Sequence, residues 1–230
     1  MDHEREIAFL SPANLKRLPE CGLIAAGGLS QLRKAAPDMK DALILFGLSK
    51  VSVGDGLFLA APVLGAPLAV MVMEELVRRG AREIIFFGLA GSLGQGLKPG
   101  DLICPSEGIS TEGTSAHYPA PLKSCPSLRA RLMESGKGLG VGDGLVWSTD
   151  GIYRETLGLI EKQKKRGAGV VDMESTALMA AAAFRKISLV PLLVVSDVLD
   201  GCDHHLGFKS PDFKKGLAKA AEIAWRVFKA

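Results

Sequence analysis

The chain has 230 residues, with 47% hydrophobic residues, only 6% aromatics and a mean hydropathy of +0.22. Such a core must be built from Ala, Val, Leu and Ile, which suits a buried parallel or mixed sheet under helical cover, and surplus apolar surface points to contacts between subunits. A net charge of +3 with interspersed signs excludes a nucleic-acid-binding stripe, because the one basic cluster, 162–166, reads as the solvated face of a helix.

Four cysteines without Cys-x-x-Cys spacing read as reduced thiols of a cytoplasmic protein rather than a disulfide frame or zinc site. The charged start at Met1–Glu6 lacks a signal-peptide core. The one long apolar window, 57–76, is broken by Pro62, Gly65, Pro67, Glu74 and Glu75, which argues against a membrane span.

In chain order, apolar runs at 7–10, 22–26, 43–48 and 57–61 read as strands. Pro67 opens a helix to about 79, stopped by Gly80. A strand at 83–87 runs into Gly88–Gly94, where glycines make either a tight turn or a cradle of backbone N–H groups for an anion. That segment has neither dinucleotide-fingerprint spacing nor the Lys-Ser/Thr of a P-loop. A strand at 101–104 leads to the polar loop Glu112–Tyr118, read as a binding loop or simply as polar surface. A helix at 126–135 and a strand at 142–147 precede Trp147–Glu155, where Tyr153 is suited to stack on a planar ring or to pack under the loop. The tetrapeptide Gly-Asp-Gly-Leu at 54–57 and again at 142–145 reads both times as a hairpin turn.

After a helix at 155–166 the chain reaches its most informative stretch. Asp172 is set to N-cap a helix over 173–184, and Glu174 lies between the apolar run 169–171 and an Ala-rich segment. Asp197 ends the apolar strand 189–195. Acids in such surroundings are seldom buried unless paired or functional, and the carboxyl end of a strand is where α/β proteins place ligands. Gly201–His205 holds metal-capable residues, but no second ligand cluster accompanies it, so no metal site is expected. The last helix, 211–228, places Phe213, Leu217, Ala220, Ala224 and Phe228 on one stripe. Alternating strands and helices without a linker make one α/β domain over 1–230.

Six segments in this order resemble the nucleoside phosphorylase family, which includes uridine phosphorylase, hexameric purine nucleoside phosphorylase and methylthioadenosine/adenosylhomocysteine nucleosidase. They are Gly65-Ala66-Pro67, Gly88 to Asp101, Glu112–Ser115, Ser148–Tyr153, Asp172–Ser175 and Ser196-Asp197. The resemblance implies a three-layer αβα fold with a mixed, partly barrel-like central sheet, and cleavage of an N-glycosidic bond by phosphate or water. It implies that Glu174 binds the ribose hydroxyls, that Met173 packs under the sugar and that Asp197 protonates a purine base at N7. Ile152 stands where many relatives carry a base-stacking Phe, so Tyr153 or Trp147 is expected to take that task.

The chemistry agrees with these roles. Loss of a base leaves positive charge on the sugar and negative charge on the base. A neutral acid at the base is worth about 10²–10⁴-fold, so Asp197 is expected to act protonated in an apolar pocket. An ionised Glu174 would favour the cationic ring.

The sequence departs from the family pattern at 84–87, which carries no arginine, and at Gly88-Leu89, which lacks the usual hydroxyl. Arg17, with Gly91, Ser92 and Thr114, is therefore expected to bind phosphate. The expectation is phosphorolysis of a purine nucleoside to base and ribose 1-phosphate, with inorganic phosphate as co-substrate and no cofactor, by a homo-trimer or homo-hexamer. Alternatives are a hydrolase using Glu4 or Glu6 as base, and a nucleoside-binding protein without turnover.

Overall fold

The computed structural model describes residues 15–94, 96–200 and 203–229. The expected strand at 7–10 and the bases proposed at Glu4 and Glu6 lie outside them. The chain runs through β1 (Cys21–Ala25), α1 (Leu29–Ala35), β2 (Lys40–Leu45), β3 (Ser49–Gly54), β4 (Leu57–Ala61) and α2 (Ala66–Arg78). It continues through β5 (Glu83–Ser92), β6 (Leu102–Ser110), α3 (Pro126–Ser135), β7 (Val141–Ser148), α4 (Leu157–Lys165) and β8 (Ala168–Asp172). It ends with α5 (Ser175–Arg185), β9 (Ser188–Asp200), β10 (Asp203–Leu206) and α6 (Pro211–Arg226).

The strands form one mixed sheet in the order β10-β9-β6-β7-β8-β5-β1-β4-β3-β2. Because β9 also pairs in parallel with β5, the strands β5, β9, β6, β7 and β8 close into a five-stranded barrel, and β1, β4, β3 and β2 extend from it as an open wing. This is the three-layer α/β architecture with a partly barrel-like sheet that the sequence resemblance implied. One helical layer is α2 and α5, packed through Met73, Leu76, Leu178 and Ala181 onto Ile24, Phe58, Ile84 and Phe86. The other is α1, α3 and α6, packed through Leu32, Leu128, Leu217 and Ala224 onto Leu23, Leu59, Ile85 and Leu192. The period-2 alternation of 84–87 thus feeds both layers.

Small residues set how closely these layers approach. α5 is buried from Ser175 through Ala182, and a Cβ at Gly108 of β6 would come within 2.5 Å of Thr176 Cγ2. Gly216 of α6 lies on the backbone of Gly100, where an added Cβ would meet the Gly100 carbonyl oxygen at 2.3 Å. The amphipathic stripe of α6 is buried as its periodicity requires, and Ser210 caps the helix by accepting from the Phe213 N–H at 3.1 Å.

Several sequence expectations are corrected. The glycine segment 88–92 is not a loop: β5 continues through it to Ser92, held by parallel pairing to β9. The second Gly-Asp-Gly-Leu, at 142–145, lies inside β7 and pairs with β6, whereas the first is a hairpin turn between β3 and β4. Asp197 does not end its strand, since β9 runs on to Asp200. Among the described residues, no helix is long and apolar enough to cross a membrane.

Candidate active site

At the carboxyl ends of β1 and β5, where the wing joins the barrel, lies a cavity of about 710 Å³. Its carboxylate and imidazole lining groups among the described residues are Glu155, Asp172, Glu174, Asp197 and His204, and no lining residue is Lys or Arg. Apolar walls come from Leu64, Leu89, Ile152, Leu157, Ile160, Val171, Leu199 and Phe208.

The β8–α5 junction builds one side. Asp172 is buried and accepts hydrogen bonds from the Ser148 hydroxyl at 2.5 Å, the Ser175 hydroxyl at 2.5 Å and the Ser175 N–H at 3.0 Å. It thus satisfies the first N–H of α5, although the N-cap residue is Glu174 and the helix begins at Ser175, not with Asp172 as the N-cap of a helix from 173. Ser148 Oγ in turn accepts from the Thr176 N–H at 3.0 Å, so the end of β7 and the start of α5 are tied together. Glu174, also buried, accepts from the Gly65 N–H at 2.6 Å, which draws its carboxylate to the N-terminus of α2. Gly65 holds a positive φ of 80°, a conformation that glycine adopts without strain. Burial pushes the proton affinity of both acids up, and for Glu174 the neighbouring Asp172 carboxylate adds to it.

Asp197 faces the cavity because of a bulge. Ala90 of β5 pairs with Val195 and Gly91 with Asp197, so Ser196 is the extra residue. Such a bulge re-aims the side chains that follow it. The Ser196 hydroxyl contacts the Ala90 carbonyl at 3.2 Å and Asp197 Oδ1 at 2.5 Å, and Asp197 Oδ2 lies 2.8 Å from His204 Nε2 on β10. Gly91 leaves room for this acid, since a Cβ there would sit 3.2 Å from Asp197 Oδ2. Glu155, in the turn between β7 and α4, completes the wall. Burial and the Asp197 carboxylate push it up to about 7, and His204 opposes them.

The expected site residues divide into two groups. Met173, Glu174, Asp197, Gly91, Ile152 and Tyr153 all line the cavity; Ile152 and Tyr153 are at its rim, 55% and 97% exposed. The other four do not line it. Trp147 is fully buried in a cluster with Leu93, Ile109 and Ile160, and its Nε1–H donates to Thr111 Oγ1 at 2.7 Å, so it has no face to offer a base. Ser92 is buried, with its hydroxyl donating to the Gly94 carbonyl at 2.9 Å. Thr114 donates its N–H to Glu112 at 2.6 Å. Arg17 lies beside Gly80, at the amino end of β1 and the opposite end of that strand from the cavity. The space above the glycines after β1 is taken by Leu89, whose Cδ1 would lie 2.8 Å from a Cβ at Gly27.

The polar loop at 112–118 is organised around its own acid. Glu112 is buried and accepts from the Ser110 hydroxyl, the Thr114 and Ser115 N–H groups and the Thr176 hydroxyl. Burial raises its proton affinity, but these hydrogen bonds outweigh it and lower the carboxyl below its ordinary value. Sequence reasoning missed Glu155 and His204 as cavity residues. No local signal marks them, because only the β9–β10 pairing and the turn before α4 bring them to the cavity. Among the described residues, no group of three metal-capable side chains converges.

A family model described as the phosphorylase superfamily matches residues 43–230, and the chain belongs to that family. A 140-residue segment is 33% identical to an uncharacterized protein of Acanthamoeba polyphaga mimivirus, covering 60% of this chain and 55% of that protein. A DeoD-type purine nucleoside phosphorylase of Bacillus cytotoxicus is 28% identical over 58% of this chain and 60% of its own length. The matched region thus spans little more than half of these relatives. The fold is also that of purine nucleoside phosphorylase from Toxoplasma gondii, with a TM-score of 0.81 at 19% identity over 91% of this chain and 90% of that one. Uridine phosphorylase from Vibrio fischeri superposes with a TM-score of 0.80 at 20% identity, covering 92% of each chain.

Proposed function

We propose that this protein cleaves the N-glycosidic bond of a purine nucleoside with phosphate, giving free base and ribose 1-phosphate. The observation that carries the reading is the pair of acid clusters across one cavity, Asp172–Glu174 on one side and Glu155–Asp197–His204 on the other. Glu174, fixed by Gly65, binds the ribose hydroxyls above Met173, and in its ionised form favours the cationic sugar of the transition state. Asp197 gives a proton to the base as the bond breaks, which favours a purine, whose N7 accepts it. Ile152 and Tyr153 cover the ring at the mouth. The reaction needs phosphate as co-substrate and no cofactor, and the protein acts in the cytoplasm, in purine salvage, as a homo-trimer or homo-hexamer.

A second reading is favoured by one observation: four carboxylates and no Lys or Arg line the cavity among the described residues. Such a lining repels a phosphate dianion and accepts water, which would make the reaction a hydrolysis. Incubating the protein with inosine, adenosine, guanosine, uridine and methylthioadenosine, with and without phosphate, decides between them. Phosphate-dependent purine release supports the proposal, phosphate-independent release supports the hydrolase, and release from uridine alone refutes the purine assignment.

A further inference from the structure

Glu112 has no part in the roles assigned above and does not line the cavity, yet with Asp172 and Glu174 it is one of the buried acids. Its carboxylate accepts from four neutral donors. They are the Ser110 hydroxyl at 2.9 Å, the Thr114 N–H at 2.6 Å, the Ser115 N–H at 3.0 Å and the Thr176 hydroxyl at 3.0 Å. A carboxylate can accept from all of them, whereas the amide of the same size would turn its own N–H groups toward donors. Three of the four lie at the end of β6 and in the turn after it, and the fourth lies on α5. Thr176 is the second residue of that helix, fully buried and held on three sides. Its hydroxyl donates to Glu112, its N–H donates to Ser148 Oγ at 3.0 Å, and its Cγ2 packs over Gly108 of β6. Glu174 is the N-cap residue two positions earlier, and its carbonyl accepts from the Leu178 N–H at 3.0 Å, so the first turn of α5 carries Glu174 and Thr176 together. The Glu174 carboxylate meets the Gly65 N–H of a different element, and a shift of that turn moves it against this donor. The turn after β6 also reaches the cavity mouth, since the Gly113 N–H donates to Asp150 Oδ2 at 2.9 Å just before Ile152 and Tyr153.

We propose that Glu112 is a positioning residue for the sugar: through Thr176 it fixes the first turn of α5, and with it the Glu174 carboxylate that receives the ribose hydroxyls. This rests on the proposed binding of the ribose by Glu174 and adds to it a group, outside the cavity, that sets where that acid stands. A misplacement of about 1 Å at a group that orients the substrate costs about 10²-fold in rate.

The test is Glu112→Gln, which keeps the volume and removes the charge. Thr176→Val, which keeps the shape of Thr176 and removes its hydroxyl, tests the same link if the first variant does not fold. In each, kcat/KM for the ribonucleoside that the protein accepts should fall at least about tenfold. In a Glu174→Gln background the same changes should cost less than about twofold, because the group they position is already gone. Equal losses in both backgrounds would overturn the proposal, since a general loosening of the fold acts independently of Glu174. Amide NMR gives a reading that needs no turnover. The Gly65 N–H donates to a buried carboxylate at 2.6 Å and should resonate far downfield. In E112Q and T176V it should move upfield, toward its position in E174Q. A Gly65 signal unmoved in both variants would overturn the proposal even where both lose activity. If no nucleoside is cleaved, the functional reading fails and the Gly65 signal still decides this one, so the two failures fall on different measurements.

Discussion

Asp172→Ala tests how the site is held. The substitution removes the acceptor of the Ser175 N–H, the Ser175 hydroxyl and the Ser148 hydroxyl, at 3.0, 2.5 and 2.5 Å. The backbone donor has no other partner in the first turn of α5 and is left buried, at a cost of about 1–3 kcal/mol. The hydroxyls can rotate toward other acceptors and lose about 0.5–1 kcal/mol each. A total of about 3 kcal/mol corresponds to about 6–12 °C in Tm for a chain of this size. The effect has a sign with pH. Burial raises the folded-state pKa of Asp172, so the folded state binds more protons than the unfolded chain between the two values. The stability that this group contributes is therefore present at and below the ordinary carboxylate range and is lost as pH rises through the raised value. Thermal unfolding of wild type and D172A at one protein concentration, at pH 5 and pH 8, should show the larger gap at pH 5. A gap below about 1 kcal/mol at pH 5, or one that widens toward pH 8, would refute the reasoning.

Other outcomes follow from the same geometry. Asp197→Asn keeps the size of the side chain and its contact with Ser196 but has no proton to give, so steady-state turnover of purine nucleosides should fall at least about tenfold, with unchanged turnover ruling out the acid role. Gly91→Ala puts a methyl group 3.2 Å from both Asp197 Oδ2 and Val171 Cγ1. It should fold with a cost of about 1 kcal/mol and turn over about tenfold more slowly by displacing the acid, and wild-type kinetics would show that the acid's placement is not limiting. Gly216→Ala forces a Cβ to within 2.3 Å of the Gly100 carbonyl oxygen. It should destabilise the chain by about 3 kcal/mol or more in urea unfolding, and a loss below about 1 kcal/mol would mean that α6 shifts freely on the sheet.

The elements legible in the sequence were those whose pattern is local. α3 and β4 were expected at 126–135 and 57–61 and are found at Pro126–Ser135 and Leu57–Ala61, because Pro and Gly bound them. α6 declared itself through a 3.6-residue stripe and a Ser-Pro start. What escaped was set by partners far away in the chain. Gly88–Ser92 has the composition of a turn, yet it remains strand because β9 supplies a continuous parallel neighbour. β3 at Ser49–Gly54 interrupts its valines with buried Ser49 and Ser52 and exposed Lys50, and α1 follows a glycine N-cap without a side-chain cap, so neither shows a strong signal.

The site divides along the same line. Glu174 and Asp197 were visible as acids embedded in apolar sequence, and both line the cavity. Trp147 looked like a stacking surface, but sequence does not say which face of β7 is enclosed, and Trp147 is packed against Leu93, Ile109, Ile160 and Val171. Arg17 was expected as the one match, after the first strand, to the arginines with which the family binds phosphate, and the direction of β1 carries it to the wrong end of the sheet. Glu155 and His204 join Asp197 only because the Ser196 bulge, the β9–β10 hairpin and the turn before α4 converge, a fact of tertiary structure with no local trace.

The most direct test is phosphorus NMR of the protein with a purine nucleoside it accepts and a limiting amount of inorganic phosphate. Phosphorolysis predicts that the phosphate signal is replaced by ribose 1-phosphate, mole for mole with the base released. Base released with the phosphate signal untouched, or no base released from any nucleoside, would contradict it.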